Sequence, residues 1–209
     1  LTITPPVSLR PGLIEPLKTG ERLRLGRTLG EGGMGLVRLA EQRVLHREVA
    51  VKTLKEHHEL SIRKLLQEAW ITGSLEHPNV VPVHDLGVDE DGVPFLVMKK
   101  IEGEVWSELL LAPERVRDRF AADDVLEWHL RVLLQVCRAL AYAHARGVVH
   151  RDLKPENVMV GSFGEVYVLD WGIAVALSDD GTGRLPLAEH ATAMAGTPAY
   201  MAPEMLGGS

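Results

Sequence analysis

The glycine-rich segment GEGGMG, residues 30–35, restricts the fold of this chain more than any other feature. Gly30, Gly32 and Gly35 satisfy the pattern G-x-G-x-x-G, which occurs both in dinucleotide-binding folds and in hairpins that cover phosphates. In dinucleotide-binding folds the glycines open a helix. Here strand-like runs precede and follow them, at residues 23–29, 36–40 and 48–54. The sequence therefore predicts a glycine-rich β-hairpin.

Composition excludes several classes of protein. Of the 209 residues, 45% are hydrophobic and 25% are charged, which is typical of a globular protein and not of a disordered one. The net charge is −6 and no basic run with interleaved aromatic residues occurs, which argues against nucleic acid as a partner. The single cysteine, Cys137, excludes an internal disulfide and fits a reducing compartment.

The chain carries no membrane or secretion signal. No stretch approaches the roughly 20 apolar residues of a membrane span, and the N-terminus lacks the layout of a signal peptide. We therefore expect a soluble, cytoplasmic segment without membrane contacts of its own. The chain starts at Leu1 and not at Met, and it stops at GGS, so we expect both ends to be cut from a longer protein. Any membrane anchor of the parent protein would lie outside this segment.

Three regions differ in their patterns. Residues 1–22 contain four prolines and no sustained period, which predicts an irregular leader or linker. Residues 23–101 are strand-rich with one helical segment at 61–75, and residues 102–209 are mainly helical. The longest helical segment, 122–146, precedes Gly147 as a helix C-terminus would. Its apolar stripe is predicted to face the core and comprises Leu126, Leu130, Leu133, Leu134, Cys137, Leu140 and Ala141. The predicted fold class is α+β.

Three segments place charge beside apolar strands. HRDLKPEN, residues 150–157, is poor core material but suits a polar catalytic loop. VLDWGIA, residues 168–174, is an apolar run that meets Asp170, and a carboxylate buried at a strand end requires a positive partner. Lys52 ends the strand VAVK and requires an anionic partner, either Glu68 on the predicted helix or a phosphate.

Taken in chain order, GEGGMG and these three segments resemble the signature set of protein kinases: glycine-rich loop, strand lysine, helix glutamate, catalytic loop, metal-binding aspartate and Pro-Glu motif. GTPAYMAPE, residues 196–204, supplies the last of these. GEGGMG, HPNVV and LDWGIA are similar to the eukaryotic-like (Hanks-type) kinases of bacteria, and Lys154 with GTPAYMAPE is similar to Ser/Thr and not to Tyr kinases. The resemblance implies a bilobal fold, with a β-rich N-lobe (23–101) that contains one key helix and a mainly helical, incomplete C-lobe (102–209).

The resemblance also implies a reaction, the transfer of the ATP γ-phosphate to Ser/Thr hydroxyls of protein substrates. Asp152 would accept the proton of the hydroxyl, and Lys154 would neutralise the transferred phosphate. Lys52 would hold the α- and β-phosphates while Glu68 fixes its ammonium. The implied ligands of Mg²⁺, for which Mn²⁺ is a substitute, are Asn157 and Asp170. Mg²⁺ would then be the positive partner of the strand-end carboxylate.

Further residues are implied to hold the nucleotide or to support the site. The contacts to ATP would come from Leu29, Gly30, Glu31, Gly32, Gly33, Met34, Gly35, Leu36, Val37, Ala50, Lys52, Met98, Lys99, Ile101 and Met159. Met98 would be the gatekeeper, and residues 99–101 the hinge segment, which contacts adenine through its backbone. The pair Lys99 and Lys100 stands where the family often has an acidic and then an aromatic residue. Trp171 replaces the common Phe and would stack with His150.

The polar loop between Asp170 and Pro203 would carry regulatory phosphorylation, with Thr192 as the first candidate site and Thr182 as the second. Arg151 could pair with such a phosphate, and autophosphorylation would involve self-association. Thr197 is predicted to line the catalytic cleft.

Other interpretations stay open. An ATP-binding pseudokinase scaffold predicts the loss of a catalytic residue, and none is lost; an inactive fragment of a longer kinase is the other alternative. A zinc site at His57 and His58 is disfavoured, because adjacent side chains diverge and no cysteine pair accompanies them.

Overall fold

The computed structural model describes residues 22–32, 35–191 and 195–206. The predicted leader lies outside them except for its last residue, and so do Gly33, Met34 and Thr192. The strands are β1 (Leu23–Glu31), β2 (Gly35–Gln42), β3 (Arg47–Leu54), β4 (Val83–Val88), β5 (Pro94–Lys99), β6 (Gly103–Val105), β7 (Val148–Val149), β8 (Val158–Gly161), β9 (Val166–Val168) and β10 (Val175–Ala176). The α-helices are α1 (Glu59–Ser74), α2 (Trp106–Leu110), α3 (Pro113–Phe120), α4 (Val125–Ala145) and α5 (Pro203–Leu206).

The chain divides into two compact units. The first comprises the described residues up to Ile62 together with His84–Met98, and the second comprises Arg63–Val83 and the residues from Lys99 onward. Most of α1 belongs to the second unit, and Ile71 of this helix and Leu75, which follows it, are part of the apolar core there. Strands dominate the first unit and helices the second, so the predicted α+β class is confirmed.

The first unit is built on a five-stranded sheet in the order β1-β2-β3-β5-β4. Strands β1 and β2 are antiparallel, with Gly30 opposite Val37 and Glu31 opposite Leu36, so the predicted glycine-rich hairpin is present. Alternating residues of the strands bury their side chains in one cluster, as a period of two requires. This core consists of Leu23, Ala40, Val49, Val51, Phe95 and Val97.

The second unit packs helix α4 against two short sheets. Strands β6, β8 and β9 form one sheet and β7 pairs with β10 in the other. Asp124 caps α4 by accepting a hydrogen bond from Glu127 N at 3.1 Å. Gly147 follows the helix with φ of 71° and donates its amide to His144 O, the left-handed C-terminal geometry that the sequence predicted.

Helix α4 buries a different face from the predicted one. Its buried residues are Val132, Val136, Ala139 and Ala143, and the helix contacts strands β7 and β9. Of the predicted stripe, Leu140 is partly buried, whereas the exposed members are Leu126 (68% exposed), Leu130, Leu133, Leu134, Cys137 and Ala141. The prediction was wrong because α4 is apolar on two sides, and periodicity cannot rank them. The smaller Val and Ala side chains allow the strands to approach the helix closely.

Within the described part of the chain, no helix combines the length and the apolar composition that are needed to cross a bilayer.

Candidate active site

Four polar side chains converge on the catalytic-loop segment of the second unit. Asp152 Oδ1 accepts hydrogen bonds from Thr197 N at 2.8 Å and from Thr197 Oγ1 at 2.7 Å. Lys154 Nζ lies 3.0 Å from Asp152 Oδ2 and donates to Thr197 Oγ1 at 2.6 Å. Asn157 Nδ2 donates to the Asp152 carbonyl at 2.8 Å. The structure thus brings Asp152, Lys154 and Asn157 together with Thr197, the residue that the sequence predicted to line the catalytic cleft.

The loop is attached to strand β9 by the backbone. Residues Pro155–Asn157 form one 3-10 turn, after which Val158 pairs with Val168 in the β8–β9 ladder. Leu169 N donates to Asn157 O at 2.8 Å. This bond brings the backbone of Asn157 to the residue that precedes Asp170, so the two predicted metal ligands are held on adjoining backbone segments.

His150 connects the loop to the same strand end. Its Nε2 lies 2.9 Å from Leu169 O, and its Nδ1 accepts from Asp152 N at 3.2 Å, which assigns the proton to Nε2. The ring is 2% exposed and lies 4.5 Å from the Trp171 ring, centroid to centroid. Burial lowers the pKa of His150, against the opposing effects of the Leu169 carbonyl and of the nearby aspartates. His150 is therefore a neutral, positioning side chain at neutral pH.

Asp152 remains an ionised acceptor although it is partly buried. Burial by itself raises the pKa of Asp152, but hydrogen bonds from Thr197 and Lys154, with the Lys154 charge, lower it below its ordinary value. The carboxylate therefore carries a full negative charge at neutral pH, and a hydroxyl that approached it would find an acceptor.

Asp170 is exposed, contrary to the buried carboxylate that the sequence suggested. Strand β9 ends at Val168, and Asp170 turns out of it with φ of 55°. Its Oδ1 accepts only a long bond, 3.4 Å, from Gly172 N among the described residues. Arg151 also has a positive φ, 69°. Left-handed backbone at a non-glycine residue costs about 1–3 kcal/mol and concentrates at functional sites.

The donor set fits Mg²⁺. Among the described residues no three His, Cys, Asp or Glu side chains form a metal-binding group. Asn157 and Asp170 nevertheless supply oxygen atoms, and the Asp170 carboxylate faces solvent. Mg²⁺ usually takes one or two protein carboxylates and completes its shell with phosphate oxygens and water. This pair of residues suits such an ion and would not form an all-protein cage.

The glycines of the hairpin differ in how much space surrounds them. A Cβ at Gly35 would lie 2.4 Å from Thr53 O, so the sheet itself requires glycine there. A Cβ at Gly30 or Gly32 would meet no atom of the described residues within 4 Å, and neither has a positive φ. Packing among the described residues therefore does not require glycine at positions 30 and 32, and open space above them is what the close approach of a phosphate needs.

Lys55 contacts the tip of this hairpin and was not predicted from the sequence. Its Nζ lies 2.6 Å from Glu31 Oε1 and donates to Gly32 O at 2.8 Å. Gly32 N donates to Gly35 O at 3.0 Å, which closes the tip. The antiparallel register of β1, β2 and β3 is the signal that could have found Lys55, because it carries the residues after β3 toward this tip.

The remaining predicted residues lie on the expected elements. Lys52 is on β3 opposite Val37, and Glu68 is a 5% exposed carboxylate on α1. Both engage in polar interactions, and their mutual ion pair stays a prediction. Ala50 is buried, and Leu29 is exposed. The half-buried members of the predicted set are Leu36, Val37, Met98, Lys99, Ile101 and Met159.

The polar loop after Asp170 contacts helix α1 through the side chain of Arg184. Thr182, the second predicted phosphorylation site, is exposed, and its hydroxyl donates to Asp180 Oδ1 at 2.6 Å. The guanidinium of Arg184, two residues later, lies 5.7 Å from the centroid of the Trp70 ring. That distance is within the range of a cation–π contact. Thr192 lies outside the described residues.

Comparison with known proteins identifies the family. The family described as Protein kinase domain matches residues 23–209. The chain is 37% identical over 202 residues to the serine/threonine-protein kinase PknD of Chlamydia pneumoniae, covering 89% of this chain and 22% of that protein. It is 38% identical to the probable serine/threonine-protein kinase SCO3848 of Streptomyces coelicolor (93% and 28%) and 35% identical to PrkC of Bacillus subtilis (90% and 27%). The chain thus spans about a quarter of the length of these relatives. It belongs to the protein kinase domain family, in its bacterial, Hanks-type branch.

Proposed function

We propose that this chain is the catalytic domain of a serine/threonine protein kinase, which transfers the γ-phosphate of ATP to Ser or Thr hydroxyls of protein substrates. The observation that carries the proposal is the cluster of Asp152, Lys154, Asn157 and Thr197, whose hydrogen bonds leave an ionised carboxylate beside an ammonium. Such a pair can accept a proton and neutralise a phosphate at one place. Its relatives' names, all serine/threonine kinases, support the same class of acceptor.

Asp152 acts as the proton acceptor. The substrate hydroxyl oxygen attacks the γ-phosphorus, the bond from that phosphorus to the β–γ bridging oxygen breaks, and the hydroxyl proton passes to Asp152 and then to solvent. Because Thr197 and Lys154 keep the pKa of Asp152 low, the carboxylate is a weak base that mainly orients the hydroxyl. Lys154 opposes the negative charge of the transferred group. Thr197 holds both side chains in place.

The other residues bind the nucleotide. Gly30 and Gly32 let the hairpin backbone cover the phosphates, and Lys52, fixed by Glu68, holds the α- and β-phosphates. The hinge segment and Met159 hold adenine. Asn157 and Asp170 hold Mg²⁺, with Mn²⁺ as a substitute, and the bound ion supplies neutralisation of phosphate charge.

Autophosphorylation in the loop after Asp170 is part of the proposal, through a second copy of the chain. Phosphorylation of Thr182 would remove the hydrogen bond that its hydroxyl donates to Asp180. The new phosphate would be repelled by the Asp180 carboxylate and attracted by the guanidinium of Arg184. Phosphate on Thr192 remains the first candidate. Mass spectrometry after incubation with Mg-ATP, with normal activity and no phosphate at either threonine, would reject both.

The test of the proposed function is phosphate transfer by the full chain. Asp152→Asn should lower transfer from labelled ATP to a generic Ser/Thr substrate by about 10²–10⁴-fold, with ATP binding retained, because only the proton acceptor is lost. Asp118→Asn, on the exposed surface of α3, is the matched control and should keep full activity. Binding of ATP without transfer in the unsubstituted chain would support the pseudokinase alternative, and transfer that survives Asp152→Asn would refute the assigned acceptor.

A further inference from the structure

Lys99 and Tyr167 form a hydrogen bond that joins the hinge segment to strand β9. Lys99 Nζ donates to the Tyr167 hydroxyl at 2.6 Å, and Tyr167 is 6% exposed. Nζ lies 4.9 Å from the ring centroid, so it approaches the hydroxyl oxygen and not the face of the ring. The contact is therefore a short, charge-assisted hydrogen bond, which is stronger than one between neutral groups.

The backbone of Lys99 is attached to the same strand by a second route. Lys99 N donates to Pro82 O at 2.9 Å. One residue earlier, Val81 N donates to Val168 O at 3.3 Å, and Val168 N donates to Asn79 O at 2.8 Å. Residues 79–82 thus bridge the hinge backbone and β9, and the Lys99 side chain makes the direct link.

Tyr167 also adjoins the proposed adenine contact on β8. Strands β8 and β9 are antiparallel, and Met159 lies directly opposite Tyr167. Directly opposed residues of antiparallel strands project from the same face of the sheet. The buried ring of Tyr167 therefore lies beside Met159, and its hydroxyl reaches Lys99.

We propose that Tyr167 is a positioning residue for the nucleotide, which acts through Lys99 to hold the hinge segment in its adenine-binding conformation. The inference rests on the proposed function, because ATP binding by the hinge backbone is part of it. It also accounts for a lysine at a position where the family often has an acidic residue. A phenol satisfies the ammonium, and Lys99 affects the nucleotide through its backbone.

The test compares two Tyr→Phe substitutions in the full chain. Tyr167→Phe keeps the ring and removes the hydroxyl that Lys99 binds. Tyr142→Phe is the matched control, because the contacts of Tyr142 within the described residues, to His77 and Arg146, run through its ring. For each variant, amide hydrogen exchange of residues 99–102 is measured without nucleotide, followed by the Kd of a non-hydrolysable Mg-ATP analogue and by KM and kcat.

We expect Tyr167→Phe to speed exchange in residues 99–102 and to raise Kd and KM for the nucleotide about 5–10-fold, the effect of losing one hydrogen bond. kcat should stay within about twofold, because the contact does not involve the reacting atoms. Lys99→Met should produce the same KM change, and the double substitution should add little to it, because both remove one interaction.

Equal exchange and equal nucleotide affinity in Tyr167→Phe and Tyr142→Phe would overturn the inference. A fall in stability and kcat at unchanged KM would do so too, because it would mark Tyr167 as structural only. Failure of the unsubstituted chain to bind nucleotide is a separate result, seen before any substitution, and it would overturn the proposed function together with this inference.

Discussion

Thr197 joins the two charged residues of the catalytic loop although it lies 45 positions from Asp152. Its hydroxyl donates to the carboxylate and accepts from the Lys154 ammonium, so one small side chain satisfies both. The preceding Gly196 makes this approach possible. A Cβ at Gly196 would lie 2.7 Å from Arg151 O, and its φ of 122° disfavours any other residue.

Replacing Thr197 with Val should lower kcat about 10–100-fold, because Asp152 and Lys154 lose their shared partner and their placement loosens. The pKa of Asp152 should rise in this variant, since a hydrogen bond to its charged form is lost, and the acid limb of the kcat/KM profile should move to higher pH. Thr197→Ser keeps the hydroxyl and should restore both quantities nearly to the original values. Equal effects of Val and Ser would contradict the role of the hydroxyl.

His150 should make the stability of the chain depend on pH. Its pKa is lowered in the folded state, so below about pH 6.5, the ordinary value, the unfolded chain binds the extra proton first. The free energy of unfolding should therefore fall as pH drops from 6.5 through the folded-state pKa of His150. Protonation of Nδ1 would also break the bond from Asp152 N.

Urea unfolding at pH 7.5 and pH 5.5 measures this dependence. His150→Gln, which does not titrate, should show a smaller loss of stability between the two pH values than the unsubstituted chain. Burial also lowers the pKa of His77 and His129, and their contribution is common to both proteins, so the difference isolates His150. An identical pH dependence would rule out His150 as a contributor.

At the scale of elements, the hairpin β1–β2 separates glycines required by the fold from glycines that the fold does not require. Gly35→Ala places a methyl group against Thr53 O and should lower the free energy of unfolding by about 2 kcal/mol. Gly32→Ala meets open space and should change stability by less than about 1 kcal/mol while raising KM for ATP. Chemical denaturation and initial rates distinguish the two. Similar destabilisation by both would contradict the steric difference between the two sites, and an unchanged KM for ATP in Gly32→Ala would contradict a role of the open space in nucleotide binding.

Helix α4 offers a comparable contrast between its two apolar faces. Val136→Ala should cost about 2 kcal/mol of folding free energy, because the methyl groups removed are fully buried. Leu130→Gln, on the exposed face, should cost less than about 1 kcal/mol. Urea midpoints measure both. A larger loss of stability in Leu130→Gln than in Val136→Ala would support burial of the predicted stripe instead.

At the scale of the whole molecule, nucleotide and metal should act on folding together. A non-hydrolysable ATP analogue with Mg²⁺, at about 100 times its Kd, should raise the free energy of unfolding by about 2.7 kcal/mol. Removal of the ion with EDTA should abolish most of this gain, and Asp170→Asn should weaken it, because the exposed carboxylate is a proposed ligand. Thermal unfolding with and without EDTA provides the measurement. A gain that is insensitive to both changes would contradict metal binding at Asp170.

Several features of the fold followed from local sequence alone. The glycine spacing with strands on both sides predicted the β1–β2 hairpin, because strands and helices have different periods. The existence of α4 followed from its apolar period and its C-terminal end from Gly147, whereas its first residue lies three positions after the predicted start. The catalytic loop was found because six polar or charged residues within eight positions cannot form a core. Each of these signals involves residues that are close together in the sequence, so each can be recognised without knowledge of the tertiary structure.

The sequence by itself determined the glycine-rich hairpin, the helical segments at 61–75 and 122–146, and the residue types of the candidate active site in their order along the chain. Only the tertiary structure decided which face of α4 is buried, that Asp170 turns into solvent, and that Thr197 meets Asp152 and Lys154. The same holds for the bond between Lys99 and Tyr167, 68 positions apart. The physical reason is that these contacts depend on how closely separate elements pack. Packing is set by side-chain volume and strand register across the whole unit, which no local pattern contains.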